Sequence, residues 1–347
     1  MDTLNFKSVW QIELRYKGMA ILLIFVALVG FFLYQKAMSI REEVRRIYAD
    51  SYFSAVLEPE PAKTSKMIFV GDIMLDRGVE QSIKDNGGGS YTFPFLKIAD
   101  YLKSADLAIG NLEGPISDKG YNVGSIYSFR ADPKAIGGLE FAGFDAVSFA
   151  NNHVFDYTRE AFEDTLKRLD KAGIFCVGAG FSEKEAYASK VITVGAAKIA
   201  FLAYSNLGSK SWEAEGDSSG IAWLSQEDLR SGIKEAKTRA DLVVVMFHLG
   251  EEYKTTSNSE QKSFARLAID SGADLVVGHH PHVAQEVEKY KGKYIAYSLG
   301  NFVFDQDFSK ETMEGLALEV TIKDKAIRTV EEKKLKMNEF YQPALSE

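Results

Sequence analysis

Residues 66–77 read KMIFVGDIMLDR. Met67 to Gly71 is an apolar run without polar alternation, the pattern of a strand covered on both faces in an α/β protein. Asp72 follows at once, just beyond the carboxyl end of that strand, where open α/β sheets gather their ligands. The same design recurs down the chain. Strand-like runs at Asp106–Gly110, Asp145–Ala150, Ile174–Gly178, Lys198–Tyr204, Asp241–Phe247 and Asp274–Gly278 alternate with helical patterns at Phe95–Lys103, Arg159–Lys171, Gln226–Lys237 and Glu260–Ser271. That alternation predicts an α/β domain. From Val283 to about Glu331 the pattern shifts to short alternating strands at 283–290, 293–298 and 315–322, which predicts a second, more antiparallel sheet.

The strand ends share a chemistry. Asn111 and Glu113 follow the second strand, Asn151-Asn152-His153 the third, His248 the sixth and His279-His280-Pro281-His282 the seventh. A lone histidine is more often a satisfied structural residue, but the chain has five and all of them fall at strand ends. Neutral imidazole with carboxylate and amide oxygen is the ligand mixture of Mn, Fe or Zn, so one or two divalent ions are expected there. Two ions sharing such ligands would lower the pKa of a bound water and clamp an oxyanion. On an extended segment residues i and i+2 face the same side. His280 and His282 are therefore expected to face the site and His279 to face elsewhere as a structural residue.

Composition narrows the function classes. With 46% hydrophobic and 26% charged residues the chain is neither disordered nor fibrous. The single cysteine, Cys176, excludes an intrachain disulfide and Cys-based zinc clusters, and its apolar surroundings predict a buried core position. Residues 1–65 carry 8 Lys/Arg against 7 Asp/Glu, and residues 66–347 carry 33 against 42. A domain of net charge −9 is a poor binder of nucleic acid.

The N-terminal part has a separate character. Met19 to Tyr34, MAILLIFVALVGFFLY, is uncharged and lies between Lys17 and Lys36. At 1.5 Å per residue it spans roughly 24 Å, and Trp10, Tyr16 and Tyr34 are placed as interface anchors. A signal peptide would need a small-x-small site, which Gln35-Lys36-Ala37-Met38 does not supply. The expected organisation is a short N-terminal segment (1–18), a transmembrane anchor (19–35), a juxtamembrane helix with a Pro-containing linker (36–65), an α/β domain (66–323) and a C-terminal strand and tail (324–347). Lys and Arg flank both ends of the anchor, so charge does not set its orientation. A single anchor before a large domain most simply leaves that domain outside the cell membrane.

The series GDIML, NLEGPI, ANNHVFDY, HLGEEY, GHHPHV and YSLGNFVFDQ, spread over residues 66 to about 307, resembles the CapA type of poly-γ-glutamate capsule biosynthesis proteins. That family is similar to calcineurin-like metallophosphoesterases, which implies a four-layer α/β/β/α sandwich with a metal centre at the strand ends. Carried over position by position, the resemblance makes Asp72 a metal ligand and leaves Met74 where a ligand histidine would stand. Asn111 stands near the usual bridging aspartate, with Glu113 two residues on. Asn152 and His153 match an Asn-His pair in which the first is a ligand and the second a general acid. His248 matches the lone ligand histidine, and His280 and His282 match the final His-x-His. His153 and Asp72 are the residues expected to take part in catalysis.

Other residues admit two readings each. Arg77 and Arg130 could grip an anionic substrate as bidentate forks or form ordinary surface ion pairs. Glu251 and Glu252 could orient imidazoles or line a solvated turn, while Asp156 and Tyr157 could fix the Asn-His loop. Gly178-Ala179-Gly180 reads as a turn, since it lacks the third glycine of a dinucleotide fingerprint. The leading functional expectation is a membrane-anchored protein acting in synthesis or export of an anionic envelope polymer, poly-γ-glutamate or a relative, alongside other capsule synthase subunits. A metal-dependent phosphoesterase or other hydrolase of envelope substrates is the alternative. A scaffold subunit of a polymer synthase complex, without enzymatic activity, is the third.

Overall fold

The structure, a computed structural model, describes residues 6–57 and 64–346. The first five residues and most of the expected Pro-containing linker lie outside the described residues. The chain divides into two compact units, residues 1–62 and 63–347. The first is one helix, α1 (Phe6–Leu57), running without a break through both the expected anchor and the expected juxtamembrane helix. Its segment Arg15–Tyr48 is long and apolar enough to cross a membrane.

The second unit runs β1 (Ser65–Ile73), α2 (Arg77–Asn86), α3 (Ala99–Lys103), β2 (Leu107–Leu112), α4 (Ala135–Ala142), β3 (Ala146–Ser148), α5 (Thr158–Lys171), β4 (Phe175–Val177), β5 (Ala179–Gly180), α6 (Glu183–Tyr187), β6 (Lys190–Val194) and β7 (Ala197–Ser205). It continues through β8 (Gly220–Ile221), α7 (Gln226–Ala236), β9 (Leu242–His248), α8 (Ser259–Ser271), β10 (Leu275–His279), β11 (Val287–Tyr290), β12 (Lys293–Ala296), β13 (Asn301–Val303), β14 (Glu314–Lys323), β15 (Ala326–Met337) and β16 (Pro343–Leu345). One sheet has the order β16-β15-β14-β1-β2-β3-β4, with β13 paired to β1, and the other has the order β11-β12-β10-β9-β7-β6.

Alternation along the strands builds the layers. In β7 and β9, Leu202, Tyr204, Val243, Val245 and Phe247 join a core with Leu229 and Ile233 of α7 and Ala265 and Ala268 of α8. Their neighbours Phe201, Ala203, Val244 and Met246 join the larger core shared with the first sheet. The Phe69 and Phe201 rings meet across the two sheets at 6.5 Å. The result is the expected four-layer α/β/β/α sandwich, with helices outside both sheets.

The separate antiparallel sheet expected from Val283 onward does not form. Its hairpins split between the two existing sheets: β12 pairs with β10, and β14 pairs with β1. Each hairpin covers what would otherwise be an open sheet edge, and each inserts apolar residues, Ile295 in one case and Leu316, Leu318 and Val320 in the other, into a core already present. β15 and β16, beyond residue 324, continue the same sheet. The expected helix from Phe95 is shortened, because Phe93–Phe95, with Pro94 inside it, forms a 3₁₀ turn before α3. Cys176 lies half-buried on the edge strand β4 rather than deep in the core.

Candidate metal centre

β1 carries Asp72 to the centre of the fold through a close backbone contact. The Asp72 N–H donates to the Gly300 carbonyl at 3.0 Å, and a Cβ on Gly71 would lie 1.8 Å from that oxygen, so only glycine fits. Asp72 lies beside Asn111 of β2 and Asn301 of β13. The Asn111 amide donates to Asp72 Oδ1 at 2.8 Å and lies 3.3 Å from both Glu113 Oε2 and His248 Nδ1. His248, the last residue of β9, meets Asn152 Oδ1 through Nε2 at 2.7 Å.

The 279–282 segment is not extended. His280 and His282 have φ of 99° and 60°, a left-handed backbone that non-glycine residues seldom adopt. The expectation that His279 faces elsewhere fails for this reason. His279, still in β10 and in register with His248 of β9, has its Nδ1 3.4 Å from Asp72 Oδ1, and the turn beyond it brings His282 Nδ1 to 3.4 Å from Asp72 Oδ2. His282 Nε2 lies 3.5 Å from Glu113 Oε1.

Burial without cationic side chains sets the electrostatics. Among the described residues the ion-pair partners of Asp72 and Glu113 are histidines alone. Burial would raise the Asp72 carboxyl, but the adjacent His279 and His282 imidazoles hold it well below its ordinary value. Glu113 goes the other way, pushed well up by burial against a partial offset from His282 and with the Asp72 charge adding to the rise. Burial and neighbouring imidazoles hold His248 well down and His280 at about 3. His282 overcomes its burial through Glu113 and Asp72 and rises to about 9.

These residues fit a divalent cation. Glu113 Oε1, His279 Nδ1 and His280 Nδ1 are buried without a hydrogen-bond partner, a costly condition that a bound cation would relieve at the oxygen and at any unprotonated nitrogen. Potential ligand atoms lie within 4.8 Å of one another in two groups, Asp72 with Glu113 and His248, and Glu252 with His280 and His282.

Comparison with known proteins decides the family. Residues 66–306 match the bacterial capsule synthesis protein PGA_cap family. The chain belongs to that family. The chain is 36% identical over 250 residues to the PGA biosynthesis protein CapA of Bacillus subtilis, a match covering 70% of this chain and 64% of the relative. It is 34% identical over 252 residues to the capsule biosynthesis protein CapA of Bacillus anthracis, covering 70% and 61%. The chain thus spans less than two thirds of the length of these relatives. Among solved structures, a phosphatase from Mycoplasma pneumoniae aligns with TM-score 0.50 at 17% identity, over 81% of this chain and 96% of that one, a likeness of fold.

In the PGA_cap domain the metal-centre residues open onto a cavity of about 670 Å³ whose lining includes Asn152, His153, His280, His282, Glu252 and Arg77. His153 stacks on Phe129 at 4.1 Å, and its Nδ1 lies 2.7 Å from Asp156 Oδ2. Its Nε2 is 3.7 Å from Glu113 Oε1. Arg77 reaches the cavity with its guanidinium over the Phe129 ring at 4.7 Å and paired with Asp305 through Nε and Nη2. Arg130 does not line the cavity. Its guanidinium donates to the Lys119 and Gly120 carbonyls at 2.9 and 3.3 Å and lies 4.2 Å from the Tyr157 ring centre, which places it as a loop clamp.

Two residues of the PGA_cap site, Asn301 and Asp305, were not singled out from sequence, and Asn151 was read only as part of its strand end. Asn151 donates to the Leu112 carbonyl at 2.8 Å and accepts from the His153 N–H at 3.0 Å. Asn301 Oδ1 meets His282 Nδ1 at 3.0 Å. Asp305 orients Arg77. A usable signal was present for Asn301, since a polar residue directly after Leu299-Gly300 repeats the pattern of Asp72 after Val70-Gly71.

Proposed function

We propose that this chain is a membrane-anchored protein, with its PGA_cap domain outside the cell, that acts in synthesis or export of poly-γ-glutamate or a related anionic polymer through a divalent metal centre. Asp72, Asn111, Glu113, Asn152, His248, His280 and His282 hold one or two ions of Mn, Fe or Zn. The carrying observation is the pair of buried carboxylates, Asp72 and Glu113, ringed by imidazoles and without a Lys or Arg partner. Such a site favours a cation, and a cation offsets the −9 domain charge where an anionic chain must approach. When bound, the metal supplies a Lewis acid for carboxylate or phosphoryl oxygen and lowers the pKa of a coordinated water. Arg77, presented by Asp305, binds the anionic group as a planar fork. Other capsule synthase subunits are the expected protein partners.

A second reading is hydrolysis of an envelope phosphoester, favoured by the His153–Asp156 pair. The Asp156 carboxylate accepts from Nδ1–H, which leaves Nε2 to hold or give a proton beside the cavity. Metal analysis of the full chain, purified in detergent and incubated with Mn, Fe or Zn, tests the centre. Stoichiometric metal that disappears in Asp72→Ala and His248→Ala is expected, and absence of stoichiometric metal with all three ions would sink the proposal. A panel of phosphodiester and γ-glutamyl substrates then separates the two readings by which bond is cleaved.

A further inference from the structure

The mouth of the metal cavity is apolar. Among the described residues of the domain, nine large hydrophobic side chains are exposed, and six of them, Tyr121, Val123, Ile126, Tyr127, Tyr253 and Phe308, belong to this mouth or to the loop that forms it. Ile126 is 84% exposed, Phe308 63% and Tyr127 60%. Residues 121–129, YNVGSIYSF, contain no charge in a strongly charged domain. The loop is held in place from beneath, with the Val123 N–H donating to the Asp156 carbonyl at 3.0 Å and the Phe129 N–H to Asp156 Oδ2 at 2.8 Å. Across the mouth, Tyr253 and Phe308 pack edge to face at 5.1 Å. Contiguous exposed apolar surface of this kind marks an interaction site, and aromatic rings with polar tips suit a membrane interface.

We propose that this rim docks on the lipid bilayer, so that the metal cavity works at the membrane surface. The inference rests on the membrane-anchor reading above, because the anchor is what selects lipid over other apolar partners. From Tyr34 to Leu57 the helix can rise about 35 Å, residues 58–64 can span at most about 25 Å, and a domain of this size is about 50 Å across. The mouth can therefore reach back to the lipid surface, and tethering makes that encounter effectively intramolecular. Acidic and basic neighbours are mixed around the rim, with Glu252, Lys254, Asp307 and Lys310 all exposed, so docking is driven by apolar insertion rather than by anionic headgroups.

The test uses the full chain in phosphatidylcholine nanodiscs, one chain per disc, with a fluorophore on Leu28→Cys, Ser125→Cys or Lys333→Cys in a Cys176→Ala background. Lipid-borne nitroxide is expected to quench the labels at 28 and 125, and aqueous iodide the label at 333. Adding Ile126→Ser and Tyr127→Ser should lower the docked-to-undocked ratio at 125 by tenfold or more, about the effect of losing one buried aliphatic side chain. Both side chains are exposed, so an unchanged melting temperature is expected. Quenching by lipid at 28 but not at 125 overturns docking while the anchor reading stands. A label at 125 shielded from both quenchers reports a protein surface on the rim and also overturns it. Absence of lipid quenching at 28 removes the anchor reading and the docking proposal with it.

Discussion

Asn301→Ala separates holding the metal centre from holding the fold. Asn301 is buried, its Oδ1 meets His282 Nδ1 at 3.0 Å, and its amide donates to the Thr312 carbonyl at 3.0 Å and to Gln306 Oε1 at 3.1 Å. An amide oxygen only accepts, so this contact places a proton on Nδ1 and leaves Nε2 as the ligating nitrogen. Partners that orient a metal-bound histidine are typically worth about 10- to 100-fold in metal affinity, roughly 1.4–2.7 kcal/mol. The lost bonds and the orphaned Thr312 carbonyl should cost about 2–4 kcal/mol of stability. Leu229→Ala, on the core face of α7 and remote from the centre, costs a similar amount, about 2–5 kcal/mol, and serves as the control. Competition against a chromogenic chelator with Mn or Zn reads the affinity, and a denaturation midpoint reads the stability. Affinity within threefold of wild type in Asn301→Ala, or an equal loss in Leu229→Ala, would refute the role given to Asn301.

His153→Ala should lower turnover on whichever phosphodiester or γ-glutamyl substrate the wild type cleaves by about 10²- to 10⁴-fold with metal content intact; metal lost along with activity would make His153 a ligand instead. Gly71→Ala forces a Cβ to within 1.8 Å of the Gly300 oxygen and should cost at least about 3 kcal/mol while weakening metal binding, because β1 and β13 must part to admit it; an unchanged melting temperature would contradict that contact. Asp164 is buried and accepts from Ser117 and Arg168 at 2.7 Å each, and despite burial these bonds and Lys119 hold its carboxyl below the ordinary value. A depressed carboxyl stabilises above the unfolded value and loses that contribution as pH falls through the folded one. Asp164→Asn should thus be less stable by about 1–3 kcal/mol at pH 7, with the gap closing below about pH 4; a gap independent of pH would remove the charge from the explanation.

The strands were legible because burial on both faces leaves an uninterrupted apolar run, and the site was legible because its polar residues stand directly after those runs. The seven runs read from the sequence correspond to β1, β2, β3, β4, β7, β9 and β10. Pairing partners were not legible. Nothing local in 283–331 says that one hairpin extends β10 and the next extends β1, since that choice is made by which edge is open once the parallel strands have assembled. His279 shows the same limit at the scale of one residue, because period-two alternation holds only for extended backbone, and the positive φ at His280 and His282 is a tertiary property. The contacts of Arg130 with the Lys119 and Gly120 carbonyls are likewise tertiary and leave no local mark in the sequence.

An acidic domain that handles a polyanion is a conflict only if its surface charge does the binding. Here the decisive negative charge is internal: Asp72 is buried and held in its ionised form, Glu113 is buried beside it, and neighbouring histidines rather than Lys or Arg serve as their partners. A lysine or arginine in that position would neutralise the carboxylates and close the site to a divalent ion. Imidazole does not, because it gives up its proton to become a ligand, and His282, held at about 9 by Glu113 and Asp72, is the proton holder in the metal-free chain. A divalent cation in place of that proton would cancel both carboxylate charges where an anionic group would meet the cavity, and a second ion would make the centre positive, while the outer surface keeps its net negative charge. Polymer engagement should therefore depend on metal far more steeply than on ionic strength: chelation should abolish binding of a poly-γ-glutamate probe to the full chain, and salt from 50 to 300 mM should change it by only a few fold. Binding that survives chelation but collapses with salt would place the polymer on surface cations and remove the metal centre from its recognition.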